Sequence, residues 1–276
     1  MTDRDEYYNR AKQEGYRTRS AYKLRQLDDE AGLLSPGDTV LDLGAAPGGW
    51  LQVAGERVGE RGRVVGVDRQ RIEDPSVPAR VETVQGDVTG EETVAALRRV
   101  LGADTTDGGD ELRGARSVDA VVSDLAPNMT GTYELDHARS VHLARQVLAI
   151  AEELLAAGGD LAVKVFEGSE IDDFRDEVDE AFEYVRTVEP DASRDASSEV
   201  YVVGKNRLTA PVRVGDRLEL AVVDEGSEGD GVAKVEGFTL FVPGADAGET
   251  VRAEVTEVKP RFGFAERVET ESEDGS

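Results

Sequence analysis

The sequence predicts an α/β fold in which a mostly parallel, doubly wound sheet is followed by a small all-β barrel. From about residue 36 to residue 204, apolar runs of strand length alternate with helical patterns, as expected for successive βαβ units. The first apolar run ends in a glycine-rich turn. After residue 211 the pattern changes to five short apolar runs separated by glycine turns, which is typical of a small barrel.

The position of each element follows from this pattern. Sheet strands are predicted at 39–43, 63–67, 81–84, 120–123, 161–166, 184–188 and 200–203. Helices are predicted near 20–33, 49–58, 90–101, 136–157 and 170–182. Barrel strands are predicted at 217–223, 231–235, 238–242, 250–259 and 263–268. The predicted domains are a sheet domain at 1–205, with a polar surface insertion at 103–117, a linker at 206–211, a barrel at 212–269 and an acidic disordered tail at 270–276.

The turn after the first strand is the most informative segment. Residues 42–50 read D-L-G-A-A-P-G-G-W, which predicts a buried strand, a tight turn and a helix N-terminus. Glycines such as Gly44 let the backbone of such a turn come close to a nucleotide-like ligand. The spacing is not G-x-G-x-x-G and no lysine follows the glycines, so neither a dinucleotide nor a triphosphate is predicted. A nucleoside with a charged amino-acid tail fits better, and S-adenosylmethionine is the predicted cofactor.

Three acids follow predicted strands of the sheet. Asp68 ends the second strand, where a carboxylate can accept hydrogen bonds from both ribose hydroxyls of an adenosine. Asp87 follows the third strand and is interpreted either as the partner of the adenine amino group or, equally well, as a turn residue. Asp124 follows the fourth strand, where its charge would orient the cationic tail of the cofactor or a neighbouring lysine.

Lys164 lies inside the apolar run L-A-V-K-V-F at 161–166. A buried ammonium group is costly unless it is paired, and a desolvated lysine is a usable base. The alternative is a side chain that reaches solvent from the end of the strand. Glu199 at the start of the last strand and Lys23 in the N-terminal segment do not stand out on their own.

The composition is strongly acidic, with 58 acids against 32 bases, a net charge of -26 and a pI of about 4.4. This suits either a protein that avoids nucleic acid or one adapted to very high salt. The acids are spread along the whole chain, which favours the salt interpretation. Cysteine is absent, which excludes disulfides, thiolate zinc sites and cysteine nucleophiles. His137 and His142 are predicted to be surface residues, and no metal site is predicted.

Residues 1–26 are a local exception to this acidity, because they hold seven bases and four acids. Four tyrosines are interleaved with the bases: Tyr7, Tyr8, Tyr16 and Tyr22. Bases with aromatic residues suit a polynucleotide strand, although an ordinary helix with solvated charges is an equally good interpretation. The chain has no signal peptide and no apolar run of about 18 residues, so a cytoplasmic protein without a membrane partner is predicted.

Five segments together resemble the FtsJ family, also called RrmJ or RlmE, of ribosomal RNA 2'-O-methyltransferases. They read R-T-R-S-A-Y-K-L at 17–24, D-L-G-A-A-P-G-G-W at 42–50, S-D-L-A-P-N at 123–128, V-K-V-F at 163–166 and S-S-E-V-Y at 197–201. The resemblance implies a Rossmann-like class I methyltransferase fold, and it covers residues 15–204. The catalytic tetrad that it implies consists of Lys23, Asp124, Lys164 and Glu199. The cofactor contacts that it implies are Gly48, Trp50, Asp68, Asp87 and Asp124.

The expected reaction is methylation of a ribose 2'-hydroxyl, with a uridine of large-subunit ribosomal RNA as the expected target. Lys164 is expected to deprotonate or orient the hydroxyl, and Asp124 and Glu199 are expected to position Lys164. Lys23 would hold the substrate oxygen or a phosphate. Transfer RNA or an mRNA cap as substrate, and a non-catalytic RNA-binding role in ribosome assembly, stay open as alternatives. A monomer acting on the large ribosomal subunit is expected.

Residues 212–269 resemble a TRAM domain, a small RNA-binding barrel. The resemblance is carried by G-D-G-V-A-K at 229–234, F-V-P-G-A at 241–245 and the segment 249–259. The candidate RNA contacts of this barrel are Lys234, Lys259, Arg261, Phe262 and Phe264. Ordinary packing inside the barrel is the alternative for the two phenylalanines.

Overall fold

The computed structural model describes residues 4–102, 118–193, 198–226 and 229–268. The chain forms two compact units, divided between Arg207 and Leu208. The predicted insertion at 103–117 and the predicted tail at 270–276 lie outside the described residues. The segment predicted as a linker at 206–211 begins two residues too early, because Asn206 and Arg207 belong to the last strand of the first unit.

The first unit is built on a seven-stranded sheet. In chain order its strands are β1 (Thr39–Leu43), β2 (Arg63–Asp68), β3 (Arg80–Gln85), β4 (Val118–Ser123), β5 (Leu155–Phe166), β6 (Phe182–Val188) and β7 (Glu199–Arg207). Their spatial order is β3-β2-β1-β4-β5-β7-β6. Strands β1 to β5 pair in parallel, whereas β7 lies antiparallel between β5 and β6. The predicted mostly parallel, doubly wound sheet is confirmed.

The order of the strands reverses between β1 and β4, because β2 and β3 extend the sheet on one side and β4 and β5 on the other. Ligands of open α/β sheets bind beyond the carboxyl ends of the strands at such a reversal. Gly44 directly follows β1 with a φ of +87°, and a Cβ at this position would lie 2.5 Å from Cδ2 of Leu125. The loops after β1 and β4 therefore approach each other too closely for a side chain at residue 44.

Helices cover both faces of the sheet. They are α1 (Arg4–Glu14), α2 (Ala21–Ala31), α3 (Gly49–Val58), α4 (Glu91–Leu101), α5 (Tyr133–Leu154) and α6 (Ile171–Asp179). One core lies between the sheet and α4, α5 and α6, whereas the other lies beneath α2 and α3. Alternate residues of each strand enter different cores, since side chains alternate along a strand: Leu41 packs in the first and Val40 in the second.

Helix α1 and the junction between α5 and β5 differ from the sequence prediction. Helix α1 is absent from the predicted helices, because its residues are almost entirely polar and show no apolar stripe. Helix α5 ends at Leu154 and β5 begins at Leu155, whereas the sequence predicts a helix to residue 157. The two alanines after Leu155 favour a helix, but Gly158 follows them with a φ of +84°, and glycine is a poor helix former.

The second unit is a closed five-stranded barrel. Its strands are β8 (Arg217–Glu225), β9 (Gly231–Val235), β10 (Phe238–Val242), β11 (Thr250–Val258) and β12 (Phe262–Arg267), in the order β10-β12-β11-β8-β9. Alternate residues of β10 fill the interior, where Phe238, Leu240 and Val242 are buried. The all-β barrel predicted for this part of the chain is confirmed.

Candidate active site

Asp124 is the centre of an ion cluster at the carboxyl edge of the sheet. Its Oδ1 accepts hydrogen bonds from Lys164 Nζ at 2.8 Å and from the Tyr201 hydroxyl at 2.6 Å. Its backbone carbonyl accepts a second bond from Lys164 Nζ at 2.7 Å. Lys23 Nζ lies 3.9 Å from the same Oδ1. Side chains from α2, β5 and β7 thus meet at the residue that follows β4.

The surroundings of Asp124 keep its carboxyl group ionised. Burial on its own would raise the pKa of Asp124, because a carboxylate loses solvation there. The charges of Lys164 and Lys23, together with the hydrogen bonds from Lys164 and Tyr201, outweigh burial and hold the pKa of Asp124 below its ordinary value. The cluster therefore carries a fixed negative charge between two ammonium groups at neutral pH.

Glu199 pairs with Lys23 and completes the cluster. Both side chains are buried, and Glu199 Oε1 accepts a hydrogen bond from Lys23 Nζ. Glu199 is expected from the sequence to position Lys164, but its contact in the structure is with Lys23, and Asp124 is the partner of Lys164. Lys23 is thus held by two carboxylates, and its expected contact with a substrate oxygen or phosphate stays a prediction.

Tyr201 belongs to this cluster, although the sequence alone does not single it out. Its side chain is fully buried and its ring lies 5.8 Å from the indole of Trp50. Burial, followed by the charge and hydrogen bond of Asp124, raises the pKa of Tyr201 well above its ordinary value, so the phenol stays a donor. The antiparallel pairing of β5 and β7 places Tyr201 directly opposite Lys164. Only this pairing of strands identifies Tyr201 as part of the site, since a tyrosine in an apolar strand otherwise indicates core packing.

The glycine turn is packed beneath the segment that leads into α2. Gly48 caps α3 with a φ of +108°, and a Cβ there would lie 2.6 Å from Nη1 of Arg17. The Arg17 guanidinium donates to the carbonyls of Pro47 at 3.0 Å, Glu73 at 2.7 Å and Asp74 at 2.5 Å. One arginine therefore fastens the turn to the segment after β2.

Trp50, a predicted cofactor contact, has its side chain in the core. The indole N–H donates to the Ser20 carbonyl at 2.8 Å, and the side chain is 3% exposed. What Trp50 offers a ligand is its backbone N–H in the first turn of α3, where helix N–H groups have no partner within the helix.

Asp68 and Asp87 both lie at the ends of strands, as predicted. The Asp68 carboxylate accepts hydrogen bonds from the backbone N–H groups of Ala46 at 3.0 Å and Gln70 at 2.8 Å, so it holds the glycine turn against β2. Asp87 accepts from the N–H and hydroxyl of Thr89 and pairs with Arg69. The hydrogen bond from Arg69, reinforced by those from Thr89, lowers the pKa of Asp87 to about 2. The structure thus gives Asp87 the turn role, and a cofactor contact stays a prediction.

Asp42, in the glycine motif itself, has no hydrogen-bond partner among the described residues for either carboxylate oxygen. It is 1% exposed and lies in the middle of the sheet, paired with Val122 and Gly66. Burial, followed by the charges of Asp124 and Asp68, raises the pKa of Asp42 well above its ordinary value. The raised pKa favours the protonated, uncharged form of Asp42, so this residue contributes less negative charge to the edge of the sheet than an ordinary aspartate would.

His137 is buried, which corrects the prediction of a surface residue. The Glu170 N–H donates to His137 Nε2 at 3.1 Å, so Nδ1 carries the proton and donates to the Phe166 carbonyl at 2.8 Å. Tyr133 and Ser140, on the same face of α5, bond the backbone of Glu167 and Phe166. The start of α5 therefore fixes the end of the strand that carries Lys164. His142 is exposed, as predicted.

The basic N-terminal segment mostly satisfies its own side chains. Tyr22 is buried and packs against the rings of Tyr7 and Tyr16 at 5.5 and 5.7 Å. Arg10 and Arg25 both pair with Glu14 and lie over these rings. Three of the four tyrosines thus have the structural role that was the alternative to RNA stacking. Tyr8 differs, because it is 59% exposed.

Three phenylalanines form a patch on the outer surface of the barrel. The ring centroids of Phe241, Phe262 and Phe264 lie 5.7–5.8 Å apart. They project outward, because the residues between them on β10 and β12 face the interior, and Phe262 is 38% exposed. Among the other predicted RNA contacts, Lys234 and Arg261 are exposed. Lys259 differs, because its ammonium pairs with Glu257 at 2.7 Å.

No group of three or more His, Asp or Glu side chains among the described residues converges in the manner of metal ligands. None of the helices described in the structure is long and apolar enough to cross a membrane.

Comparison with known proteins assigns a class to this fold and site. A sequence model described as FtsJ-like methyltransferase matches residues 16–207, and a TRAM domain model matches residues 211–268. The protein is thus a methyltransferase of the doubly wound α/β class that carries a C-terminal barrel. More narrowly, the chain belongs to the FtsJ-like methyltransferase family, as the resemblance of the five segments implied.

Relatives agree over nearly the whole length. Proteins named Ribosomal RNA large subunit methyltransferase E from Haloquadratum walsbyi and Haloarcula marismortui are each 59% identical, over 98% of this chain and 100% of theirs. The relatives include halophilic archaeal proteins, in agreement with the salt interpretation of the acidic composition. A crystal structure of a protein assigned as a ribosomal RNA methyltransferase from Plasmodium falciparum has a TM-score of 0.58 and 26% identity, and it covers 70% of this chain and 98% of that one.

Proposed function

We propose that this protein transfers a methyl group from S-adenosylmethionine to a ribose 2'-hydroxyl, on a uridine of large-subunit ribosomal RNA. The observation that supports this most strongly is the cluster of Lys23, Asp124, Lys164 and Glu199 at the reversal of strand order. The names of the 59% identical relatives support large-subunit ribosomal RNA as the substrate. The 2'-hydroxyl and the uridine rest on the resemblance of the site to the family.

The residues at the ends of β1, β2 and β4 fit this cofactor. S-adenosylmethionine carries a sulfonium and an ammonium charge, and both suit an edge of the sheet where the carboxyl groups of Asp68 and Asp124 lie. The glycine turn removes the side chains that would block close approach of the backbone, and Gly48 and Trp50 contribute the N-terminal N–H groups of α3. The cofactor supplies an activated methyl group with a good leaving group, so the protein has to align the acceptor oxygen and make it nucleophilic.

Lys164 is the proposed contact of the 2'-hydroxyl. As an ammonium group it uses two N–H bonds on Asp124, and the third can donate to the hydroxyl oxygen and stabilise the negative charge that develops there as the hydroxyl proton passes to solvent during transfer. As a neutral amine it could instead accept the hydroxyl proton. Asp124 holds the nitrogen in place in both cases. Tyr201, with Lys23 and Glu199 behind it, fixes the orientation of the Asp124 carboxylate.

The barrel is proposed to add a second RNA contact through the phenylalanine patch. Exposed aromatic rings stack on unpaired bases and tolerate high salt better than phosphate contacts do. Transfer RNA and an mRNA cap are less well supported, because neither is in the names of the relatives at 59% identity. The cytoplasmic location, the monomeric state and the action on an assembled subunit stay predictions.

The test is transfer of label from S-adenosylmethionine in molar salt to unmodified large ribosomal subunits and, separately, to transfer RNA. The proposal expects label on one ribose 2'-oxygen of the large-subunit RNA, located by resistance of the adjacent phosphodiester to alkaline hydrolysis. Label on a base would contradict the 2'-O assignment. Label in transfer RNA alone would identify transfer RNA as the substrate. No methyl transfer despite measured cofactor binding would favour the non-catalytic alternative.

A further inference from the structure

An exposed apolar cluster lies directly beside the active site. Of the eight large apolar side chains that are exposed in the described residues, three fall within seven positions: Met129 at 64%, Tyr133 at 59% and Leu135 at 44%. They occupy the loop that starts at Asp124 and the first turn of α5. Single exposed apolar residues are ordinary, whereas a local cluster marks a contact surface. We refer to these three residues as the edge patch.

Tyr133 is both exposed and fixed in orientation. Its hydroxyl donates to the Glu167 carbonyl at 2.6 Å, and the Glu167 N–H donates to the Ser198 carbonyl at 2.7 Å. The loop before it is held by Asp136, which accepts from the N–H groups of Thr130 at 2.8 Å and Gly131 at 3.0 Å. A ring that is already ordered loses little conformational entropy when a ligand stacks on it.

The anchor of Tyr133 places it near the acceptor site. Glu167 follows Lys164 by three residues at the end of β5, and three residues of extended chain span roughly 10 Å. Glu167 also bonds the residue that precedes Glu199. The Tyr133 ring is therefore anchored to a backbone carbonyl that lies close to both Lys164 and Glu199. Its distance from Lys164 suits contact with the nucleotide at the acceptor site or with a neighbouring nucleotide.

The charges around the edge patch favour a base as its partner. Glu134 is exposed between Tyr133 and Leu135, which disfavours a phosphate at that point. Arg139 is exposed on the next turn of α5 and donates to the Asn128 carbonyl at 3.4 Å, so a cation is available for the strand farther along. In the dense salt that this acidic chain is adapted to, phosphate contacts weaken and stacking matters more.

We infer that Tyr133 stacks on a base of the substrate RNA within one nucleotide of the methylated ribose. The inference rests on the proposed function and adds a substrate-binding residue outside the tetrad. Met129 and Leu135 add exposed apolar surface within seven positions of the ring. The hydroxyl of Tyr133 positions the ring and does not contact the RNA.

The first test compares Tyr133→Ala, Tyr133→Phe and Tyr184→Ala on an RNA fragment that contains the mapped methylation site. Loss of one stacking contact predicts a fall in kcat/KM for RNA of about five- to hundredfold for Tyr133→Ala, mainly through KM, with cofactor affinity by calorimetry unchanged. Tyr133→Phe keeps the ring and should lose less than about threefold. Tyr184, a 45% exposed tyrosine on β6, is the matched control and should behave as the wild type.

The second test removes the base instead of the ring. RNA fragments with one abasic residue, at the methylated nucleotide or at either neighbour, keep the acceptor ribose. At one of these positions the loss for the wild type should match that of Tyr133→Ala, and the two losses should not add.

Additive losses at all three positions, or normal kcat/KM for Tyr133→Ala, would overturn the inference while leaving the proposed function intact. A loss seen with whole subunits and not with the fragment would assign the edge patch to a ribosomal protein and overturn it as well. No transfer to RNA by the wild type would overturn both proposals.

Discussion

Two acids on neighbouring strands show how differently this sheet treats a buried carboxyl group. Asp124, after β4, has hydrogen bonds from Lys164 and Tyr201 and a second ammonium group at 3.9 Å, and its pKa lies below the ordinary value. Asp42, on β1, is more deeply buried and has no hydrogen-bond partner among the described residues, and its pKa is raised. Burial is common to both, so the difference in charge state comes from the partners.

The site thus has two halves that differ in how their acids are neutralised. On the side of β4, β5 and β7, the chain supplies cations of its own, which fixes the charges before any ligand binds. On the side of β1 and β2, Asp68 accepts from backbone N–H groups and Asp42 has no hydrogen-bond partner among the described residues, so a cationic ligand would be what stabilises their ionised forms. Substitutions on the first side should mainly affect turnover, whereas those on the second side should mainly affect cofactor affinity and pH-dependent stability.

The largest effect is expected from Lys164→Ala. Removing the contact of the acceptor hydroxyl should lower kcat by roughly 10²- to 10⁴-fold, the usual range for a group that moves or orients a proton. Cofactor affinity should change little, since Lys164 lies on the turnover side of the comparison. The measurement is single-turnover methyl transfer together with calorimetry of cofactor binding. Turnover like that of the wild type would remove Lys164 from the mechanism.

Lys205→Ala is the matched control for this variant. Lys205 also forms a buried ion pair, with Asp160, and donates to the Gly32 carbonyl at 2.9 Å. Breaking a buried pair costs roughly 3–5 kcal/mol of stability in both variants. A fall in kcat for Lys164→Ala alone would therefore separate chemistry from stability.

Tyr201→Phe should have the next largest effect. The ring keeps its packing against Trp50, but Asp124 loses one of its hydrogen bonds, which is worth about 1–3 kcal/mol for a charged acceptor. Turnover should fall roughly five- to hundredfold, and the pKa of Asp124 should rise. The acid limb of the pH–rate profile should therefore move to higher pH. An unchanged acid limb would show that Lys164 alone sets the charge state of Asp124.

Asp42→Asn and Asp124→Asn should change stability in opposite directions. A carboxyl group with a raised pKa in the folded protein costs stability as the pH rises from its ordinary value toward the raised one. Without cofactor, Asp42→Asn should therefore match the wild type near pH 4 and exceed it by about 1–3 kcal/mol at pH 8. Asp124→Asn should be less stable at pH 8, since the buried ammonium group of Lys164 loses its counterion and Lys23 keeps only Glu199. Thermal unfolding at both pH values measures the difference. Equal changes in stability for the two variants would contradict the difference in charge state between Asp42 and Asp124.

The two halves also differ in how far the sequence predicts them. The glycine turn is contiguous from residue 42 to residue 50, so spacing alone indicates its geometry and a ligand at its edge. The proposed catalytic cluster draws on residues 23, 124, 164 and 199, which only the resemblance to a family brings together. Local patterns cannot show that Glu199 pairs with Lys23 and not with Lys164, because that depends on where α2 packs.

Tyr201 and His137 illustrate the same limit. Each looks like an ordinary strand or helix residue, and each gains its role from a neighbour across the sheet: Lys164 opposite Tyr201, and the backbone at 166–170 beneath His137. The doubly wound sheet and the barrel were predictable because the alternation of apolar residues is a local signal. Boundaries such as the end of α5 were less predictable, since the two alanines that follow Leu155 can belong to a helix or to a strand.

The smallest effect is expected at Asp87, a third acid that follows a strand of the sheet and whose side chain is partly exposed. Its Thr89 and Arg69 contacts lower its pKa to about 2, so its contribution to stability is present above the ordinary carboxyl pKa and is lost as the pH falls through about 2. Asp87→Asn should therefore unfold like the wild type below pH 2 and slightly more easily at neutral pH.

If Asp87 also binds the adenine amino group, cofactor affinity should fall by about fivefold, the value of one hydrogen bond. Thr89→Ala removes a turn contact and leaves the carboxylate, so it should weaken the turn without that loss. Equal cofactor affinities for both variants and the wild type would leave Asp87 with the turn role alone.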